Sequence, residues 1–243
     1  MHVIKLNATE STNDYLRLLY SKNNLQNRTV VVAKHQTKGR GQMGATWNSK
    51  GSNNLTFSIF IKGLDLSVEH KFYLSIATSL ALLQSLKPLN LRQLHVKWPN
   101  DILADNKKIG GILIENILKG QNIAASIIGI GLNVNQQKFK YLPKAISLKN
   151  ITGVTYDLDF VLSDILKQLD KYLGFITDNK FTALKTEYES SLFRRKKPST
   201  FKNEKGEIFT AYIQGVSNDG KLQLLQEDNL IRTYDLKQIK LLY

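Results

Sequence analysis

Apolar positions along this chain switch between two spacings, and the switches mark its elements. Tyr15, Leu18 and Leu19 follow the cap-type residues of residues 7–13 and predict a short helix starting near Ser11–Thr12, with those three on its inner face. Residues 28–36 are a β-branched run and read as a buried strand, and residues 54–62 alternate as a second strand. Phe72, Ile76, Leu80 and Leu83 recur at helical spacing within 67–86, and Pro88 follows the end of that helix. Residues 94–98 form a short strand stopped by Pro99. Residues 102–118 read as strand, turn and strand about Asp105-Asn106, and 122–134 as a further strand. Leu158, Leu162, Ile165, Leu169 and Tyr172 share one face of a helix over 157–173, and another helix covers 181–192. From Phe201 the pattern changes to short strands at 207–216, 222–226 and 231–236. Asn218-Asp219-Gly220 is a hairpin turn among them, because glycine accepts the positive φ that tight turns require.

Strands joined by tight turns imply antiparallel pairing, and the regular alternation of a doubly wound parallel sheet is absent. The expected fold class is α+β: a mixed, largely antiparallel sheet with packed helices, then a small β barrel. The expected division is a larger domain over 1–192 and a smaller one over 193–243.

Composition narrows the class. The chain has 243 residues, enough for one large and one small domain, and its 42% hydrophobic content suits a packed core. No apolar run approaches the roughly 18 residues that span a bilayer. The first residues lack the apolar segment of a signal peptide, so a cytoplasmic protein without membrane association is expected. There are no cysteines, and His2, His35, His70 and His95 share no metal-ligand spacing. With 34 basic against 20 acidic side chains, the net charge of +14 favours polyanionic ligands or acidic partners, or a solvated lysine surface.

Three segments carry candidate chemistry. Gly39-Arg40-Gly41-Gln42-Met43-Gly44 has the glycine spacing of dinucleotide loops, but these glycines lead into a loop and a strand where that fold needs a helix. Kinase and P-loop signatures are also missing. A loop that closes over an anion and carries Arg40 to it accounts better for three glycines in six residues. Residues 96–115 (VKWPNDILADNKKIGGILIE) place Lys97, Asn100, Asp101, Lys108 and Glu115 around a strand end, a proline turn and a hairpin. Gly110-Gly111 on an apolar strand signals a bulge or a ligand lying on the backbone. In 127–135 (IIGIGLNVN), Gly129 and Gly131 leave one face of a strand bare, and Asn133 comes two residues later.

Together these segments resemble the biotin protein ligases, the biotin–[acetyl-CoA-carboxylase] ligases. The resemblance rests on ESTN at 10–13, QTKGRGQMGATW at 36–47, NLTFS at 54–58, VKWPNDIL at 96–103, KKIGGILIE at 107–115 and GIGLNVN at 129–135. It implies a class II synthetase-like core followed by an SH3-like barrel. It also implies a two-step reaction, in which ATP and biotin give biotinyl-5′-AMP and the biotinyl group then passes to a lysine of a carboxylase carrier domain. The implied biotin pocket comprises Ser11, Thr12, Asn13, Gln36, the Gly39-Arg40-Gly41-Gln42 loop, Lys108, Gly111, Gly129 and Gly131, with Gly110 beside them. Trp47, Lys97, Asn100, Asn133, Arg40 and Lys108 would face ATP. Lys108, Asp101 and Arg40 would serve the chemistry, with Mg2+ as cofactor and Asp101 and Glu115 as candidate contacts to it.

The chemistry asks for such residues on its own terms. A carboxylate attacking an α-phosphate brings two anions together, which Arg40, Lys97, Lys108 and Mg2+ would offset. An acceptor lysine with an ordinary pKa near 10.4 must lose a proton, for which Asp101 is the candidate. Two departures from the family stand out. Gln42 replaces a second loop arginine that many relatives carry, and ESTN begins at Glu10, which implies a short form without an N-terminal DNA-binding domain. Nucleic acid is therefore not an expected partner, and monomer and homodimer stay open. A lipoyl or octanoyl protein ligase is the nearest alternative, and a non-catalytic nucleic-acid-binding protein is a remoter one.

Overall fold

In the computed structural model, which describes residues 1–22, 25–48, 51–140 and 142–243, strand β7 (Asn122–Leu132) is the middle of a seven-stranded sheet. The order is β1 (His2–Thr9), β2 (Thr29–Gln36), β3 (Leu55–Ser67), β7, β6 (Lys107–Lys119), β5 (Asp101–Ala104), β4 (His95–Lys97). Only β1 and β2 run parallel; the other neighbours are antiparallel, so the sheet is mixed and largely antiparallel as expected. The tight turn between β5 and β6 falls at Asp105 (φ 50°) and Asn106 (φ 58°), residue types that tolerate the left-handed region.

Strand β1 is not among the elements that the apolar pattern predicts. It is an edge strand whose exposed and half-buried residues carry little apolar signal, and its pairing with β2 is fixed by the crossover through helix α1 (Thr12–Lys22). The inner face of α1 also differs from the expected one. Thr12, Asn13 and Leu16 are buried and Leu18 is 50% exposed, because Leu16 meets Val31, Phe60, Ala125 and Ile127 on the sheet. The other sheet face is covered by α2 (Phe72–Leu86) and α4 (Leu158–Thr177), whose side chains share a core with Phe57, Ile59, Ile128 and Ile130, and α5 (Phe181–Ser190) packs on those two helices. A short helix, α3 (Leu148–Thr152), begins at a Ser147/Asn150 capping box that the apolar pattern does not reveal.

A second sheet is wholly antiparallel, in the order β11 (Ile231–Tyr234), β10 (Leu222–Leu225), β9 (Ile208–Val216), β8 (Pro198–Asn203), β12 (Ile239–Leu242). It docks on the first. Trp98 Nε1 donates to the Gly220 carbonyl at 2.8 Å, and Gly220 (φ 93°) lies so close to Phe72 that a Cβ would sit 2.3 Å from its ring. The hairpin turn thus stands against α2 and the Trp98-Pro99 bond, which is cis.

Candidate active site

The two sheet faces part company beyond α1. Its N-terminus stops the apolar layer, and the strands continue with polar residues and glycines on that same side. Cross-strand register aligns Thr56 of β3, Gly131 of β7, Gly111 of β6, Asp101 of β5 and Lys97 of β4. Partners in register share a face, so these five form one rung across five strands. The next rung holds Ser58, Gly129 and Leu113. A cleft of about 970 Å³ opens above them.

The ends of this cleft differ. At the α1 end, Ser11 accepts from the Asp14 amide as an N-terminal cap, and Gln36 Oε1 accepts from the Thr12 amide at 2.7 Å and from its hydroxyl at 3.0 Å. The Thr12 hydroxyl lies 2.6 Å from the Ser58 hydroxyl, which donates to Asn13 Oδ1, also at 2.6 Å. Asn13 Nδ2 then donates to Glu115 at 2.8 Å. Thr12, Asn13 and Ser58 are all buried, so this relay is held in fixed orientations. Gly129 is required beside it, since a Cβ there would be 2.4 Å from Asn13 Oδ1.

At the far end, Asp101 bridges two ammonium groups: Lys108 Nζ at 2.5 Å and Lys97 Nζ at 3.4 Å. A bulge between β5 and β6 explains how Lys108 reaches it. Ile102 pairs with Gly110 but Leu103 pairs with Lys108, which turns the Lys108 side chain onto the Asp101 face. Asn100 clamps the preceding turn by donating to the Ile112 carbonyl at 2.6 Å.

The glycine loop lies over the middle. It is a narrow hairpin in which Trp47 N–H donates to Gly39 O and Gly41 N–H to Ala45 O, with an Arg40–Thr46 bridge. Gly39 is obligatory, as a Cβ would meet Trp47 O at 2.3 Å. Arg40 Nη2 pairs with Asp14 and, at 3.3 Å, with Glu115. The Trp47 indole rests on Gly131, where a Cβ would be 2.3 Å away, and the Lys108 ammonium stands 5.8 Å from its ring. Trp47 Nε1, Gln42 Oε1 and Thr56 Oγ1 are buried without a hydrogen-bond partner, and all three residues line the cleft. Buried polar atoms left open in this way suit a ligand with both donors and acceptors.

The cleft therefore gathers Ser11, Thr12, Asn13, Gln36, Arg40, Gly41, Gln42, Trp47, Lys97, Asn100, Asp101, Lys108, Gly111, Gly129 and Gly131. Four anticipated residues stand elsewhere. Gly110 faces away, toward Leu132 and Ile102, because strand residues alternate. Gly39 anchors the loop from outside. Asn133 is buried just past the end of β7, where its carboxamide donates to Ile146 O at 3.1 Å and reaches Lys108 O at 3.5 Å. Glu115 is far from the Asp101 pair in function, since it holds Arg40, Arg17 and Asn13. Both carboxylates considered for Mg2+ are thus already bound to cations, and no cluster of three metal-ligating side chains occurs among the described residues. They do not fit as a metal cage.

Three participants carry no mark that the sequence motifs pick out: Asp14, Lys144 and Tyr243. Thr56 and Ser58 lie inside the NLTFS motif, which by itself assigns them no role, although they are polar residues on the inward positions of an otherwise apolar strand. Tyr243 comes from beyond β12 and sits beside Lys97, and burial, followed by the Asp101 charge, raises its phenol pKa above the usual value. Lys202, Lys237 and Lys240 of the second sheet region complete the rim.

Comparison with known proteins accords with this geometry. The model of the biotin/lipoate A/B protein ligase family matches residues 6–133. The chain is similar to the bifunctional ligase/repressor BirA of Bacillus spizizenii, 30% identical over 238 residues, covering 96% of this chain and 72% of that protein. It is similar to the biotin–[acetyl-CoA-carboxylase] ligase of Mycobacterium tuberculosis, 34% identical over 144 residues, covering 58% of this chain and 52% of that one. Its fold is similar to the biotin protein ligase of Aquifex aeolicus in complex with biotin and ATP, with a TM-score of 0.82 and 27% identity, covering 99% of this chain and 98% of that one. No helix among the described residues is long and apolar enough to cross a membrane.

Proposed function

This chain belongs to the biotin/lipoate A/B protein ligase family, and from that premise we propose that it is an ATP-dependent biotin protein ligase. It converts biotin and ATP to biotinyl-5′-AMP and pyrophosphate, then transfers the biotinyl group to a lysine of a carboxylase's carrier domain. The observation that carries this reading is the rung Thr56–Gly131–Gly111–Asp101–Lys97, a bare track with a hydrogen-bonding pocket at one end and three charges at the other.

The ureido ring of biotin has donors and an acceptor, and the Thr12–Gln36–Ser58–Asn13 relay offers both in a buried setting. The glycines of the track leave room for the ring system and chain to lie on the backbone. This directs the carboxylate to Lys108. In the first step a carboxylate oxygen bonds to the α-phosphorus as the bond from that phosphorus to the pyrophosphate oxygen breaks. Lys108 and Lys97 offset the negative charge on both sides of that exchange. Mg2+ arrives with ATP as its chelate, a part of the substrate.

In the second step the carrier lysine's nitrogen bonds to the acyl carbon, the acyl–oxygen bond breaks and AMP leaves. Asp101, which lies between Lys108 and Lys97, would orient the incoming amine and take the proton that its nitrogen loses. The glycine loop over the track excludes water, which would otherwise hydrolyse the mixed anhydride. The relatives and structures named above support biotin over lipoate.

The test is direct. Purified protein with MgATP and biotin, with and without a biotin carboxyl carrier domain, is followed by mass spectrometry. Adenylate and then a biotinylated lysine are expected. Product with lipoate but not biotin would overturn the reading.

A further inference from the structure

Among the described residues, three that line the cleft hold a buried polar atom without a hydrogen-bond partner, and they differ in what carries them. Gln42 and Trp47 ride on the glycine loop, whereas Thr56 is part of β3, inside the sheet. Thr56 is in register with Gly131 of β7 and is only 4% exposed. A Cβ on Gly131 would point into the Trp47 indole, so Thr56, its partner in register, turns its side chain to that same cleft face. Ser58 follows two residues later on that face and belongs to the Thr12–Asn13 relay. The Thr56 hydroxyl can donate and accept, and burying one unpaired costs stability. Valine has nearly the same shape and an equal liking for strands without that cost. A hydroxyl at this position is therefore accounted for by a ligand atom.

Resting on the ligase reading, elimination distributes the polar atoms of biotin over the track. The ureido group goes to the relay at the Ser58 rung. The carboxylate goes to Lys108, whose ammonium stands on the β5–β6 side beside Asp101. The hetero atom left over is the sulfur of the second ring, which is fused to the ureido ring and so lies next to it. Thr56 is about 7 Å along β3 from Ser58, on the same face and across Gly131 from Gly111. That is off the path to Lys108 and beside the fused rings. A thioether sulfur is a weak acceptor, and a hydroxyl held in a buried setting is a donor suited to it.

We propose that Thr56 is a specificity residue of the ligase reaction, its hydroxyl donating a hydrogen bond to the ring sulfur of biotin. Because β3 is interior to the sheet, this bond fixes where the ring system sits, and with it how far the carboxylate extends toward Lys108.

Calorimetry without ATP tests this on wild type, Thr56→Val and Thr56→Ser, with two ligands: biotin and its analogue in which a methylene replaces the ring sulfur. The ratio of the analogue's dissociation constant to that of biotin should fall by about two- to tenfold from wild type to Thr56→Val, the range for one hydrogen bond. It should stay near the wild-type value in Thr56→Ser, which keeps the hydroxyl. Comparing ratios separates the hydroxyl–sulfur pair from any general change at the site. The urea midpoint adds a readout that a purely structural hydroxyl would move the other way. Without ligand, Thr56→Val should be at least as stable as wild type, since it removes an unpaired buried hydroxyl. An unchanged ratio in Thr56→Val would overturn the proposal, as would a ratio lost equally in Thr56→Ser. A lower midpoint for ligand-free Thr56→Val would also overturn it, by showing that the hydroxyl is partnered within the protein. Failure of wild type to bind biotin would defeat the ligase reading and this proposal together, whereas biotin bound with an unchanged ratio defeats this proposal alone.

Discussion

Arg40 in the glycine loop is ion-paired to Asp14 on the first turn of α1, 26 residues earlier, and shares Glu115 of β6 with Arg17. The loop is thereby fastened to the helix whose cap region forms the polar pocket. Arg40 and Asp14 are 44% and 45% exposed at the side chain, so their pair contributes at most about 1 kcal/mol. That is a latch weak enough to open for substrate. Asp14→Ala should leave the folding midpoint nearly unchanged and speed release of the bound adenylate by about fivefold or less. Single-turnover chase of preformed adenylate measures this; an unchanged release rate would remove Asp14 from the latch.

Gly131 and Trp47 compete for one volume. A Cβ at 131 would lie 2.3 Å from the indole, and a loop side chain yields more readily than a sheet. Gly131→Ala should therefore fold, expel Trp47 from the track and weaken biotin binding by tenfold or more, about the cost of a displaced apolar contact plus a narrowed slot. The chain has two tryptophans, so fluorescence of the variant in a Trp98→Phe background reports Trp47 alone. A red shift is expected. An unshifted spectrum with normal biotin affinity would refute the close packing.

Asn133 is buried and holds main chain beside Lys108. Its carboxamide bridges the main chain at Ile146 and Lys108, so Asn133→Ala strands buried carbonyls and should lower stability by about 1–3 kcal/mol. Its effect on turnover should track the loosening of Lys108 and appear in kcat together with the KM for ATP. Denaturant unfolding beside steady-state kinetics checks both. Loss of ATP binding with full stability would place Asn133 in contact with nucleotide instead.

His95 of β4 carries a pH signature. Burial lowers its pKa, and nearby Lys197 adds to that, while a hydrogen bond with the Ser191 backbone opposes it. The unfolded chain, with an ordinary value near 6.5, therefore takes up the proton first as pH falls. Stability should be fully present above about 6.5 and decline below it until the folded-state pKa is passed. His95→Gln should flatten that part of the pH profile of the urea midpoint. Identical slopes for the two proteins would contradict the assignment.

Much of this was legible in the sequence, for physical reasons that differ by element. Long periodic segments such as α4 and the β5–β6 hairpin announce themselves because burial of one face and positive-φ turn residues leave strong local marks. Edge strand β1 and helix α3 do not: β1 is placed by pairing with β2, and α3 is five residues long, set by a local Ser147/Asn150 capping box that leaves no apolar period. At the site, the bare positions at Gly111, Gly129 and Gly131 were readable from alternation. The direction of Gly110 and the reach of Lys108 were not, because a single bulge changes which side chains share a face. Lys144 and Tyr243 were invisible for a similar reason: 99 residues separate them, and only the docking of the two sheets brings them together.

On the ligase reading, biotin's carboxylate meets the α-phosphate at the Lys97–Asp101–Lys108 end of the rung. The decisive measurement is single-turnover formation of biotinyl-5′-AMP, comparing wild type with Lys108→Ala at saturating MgATP and biotin. The prediction is a fall of about a hundredfold or more in the rate of adenylate formation, the scale for removing one group that offsets transition-state charge, with biotin still bound. Adenylate formed by the variant at the wild-type rate would contradict it.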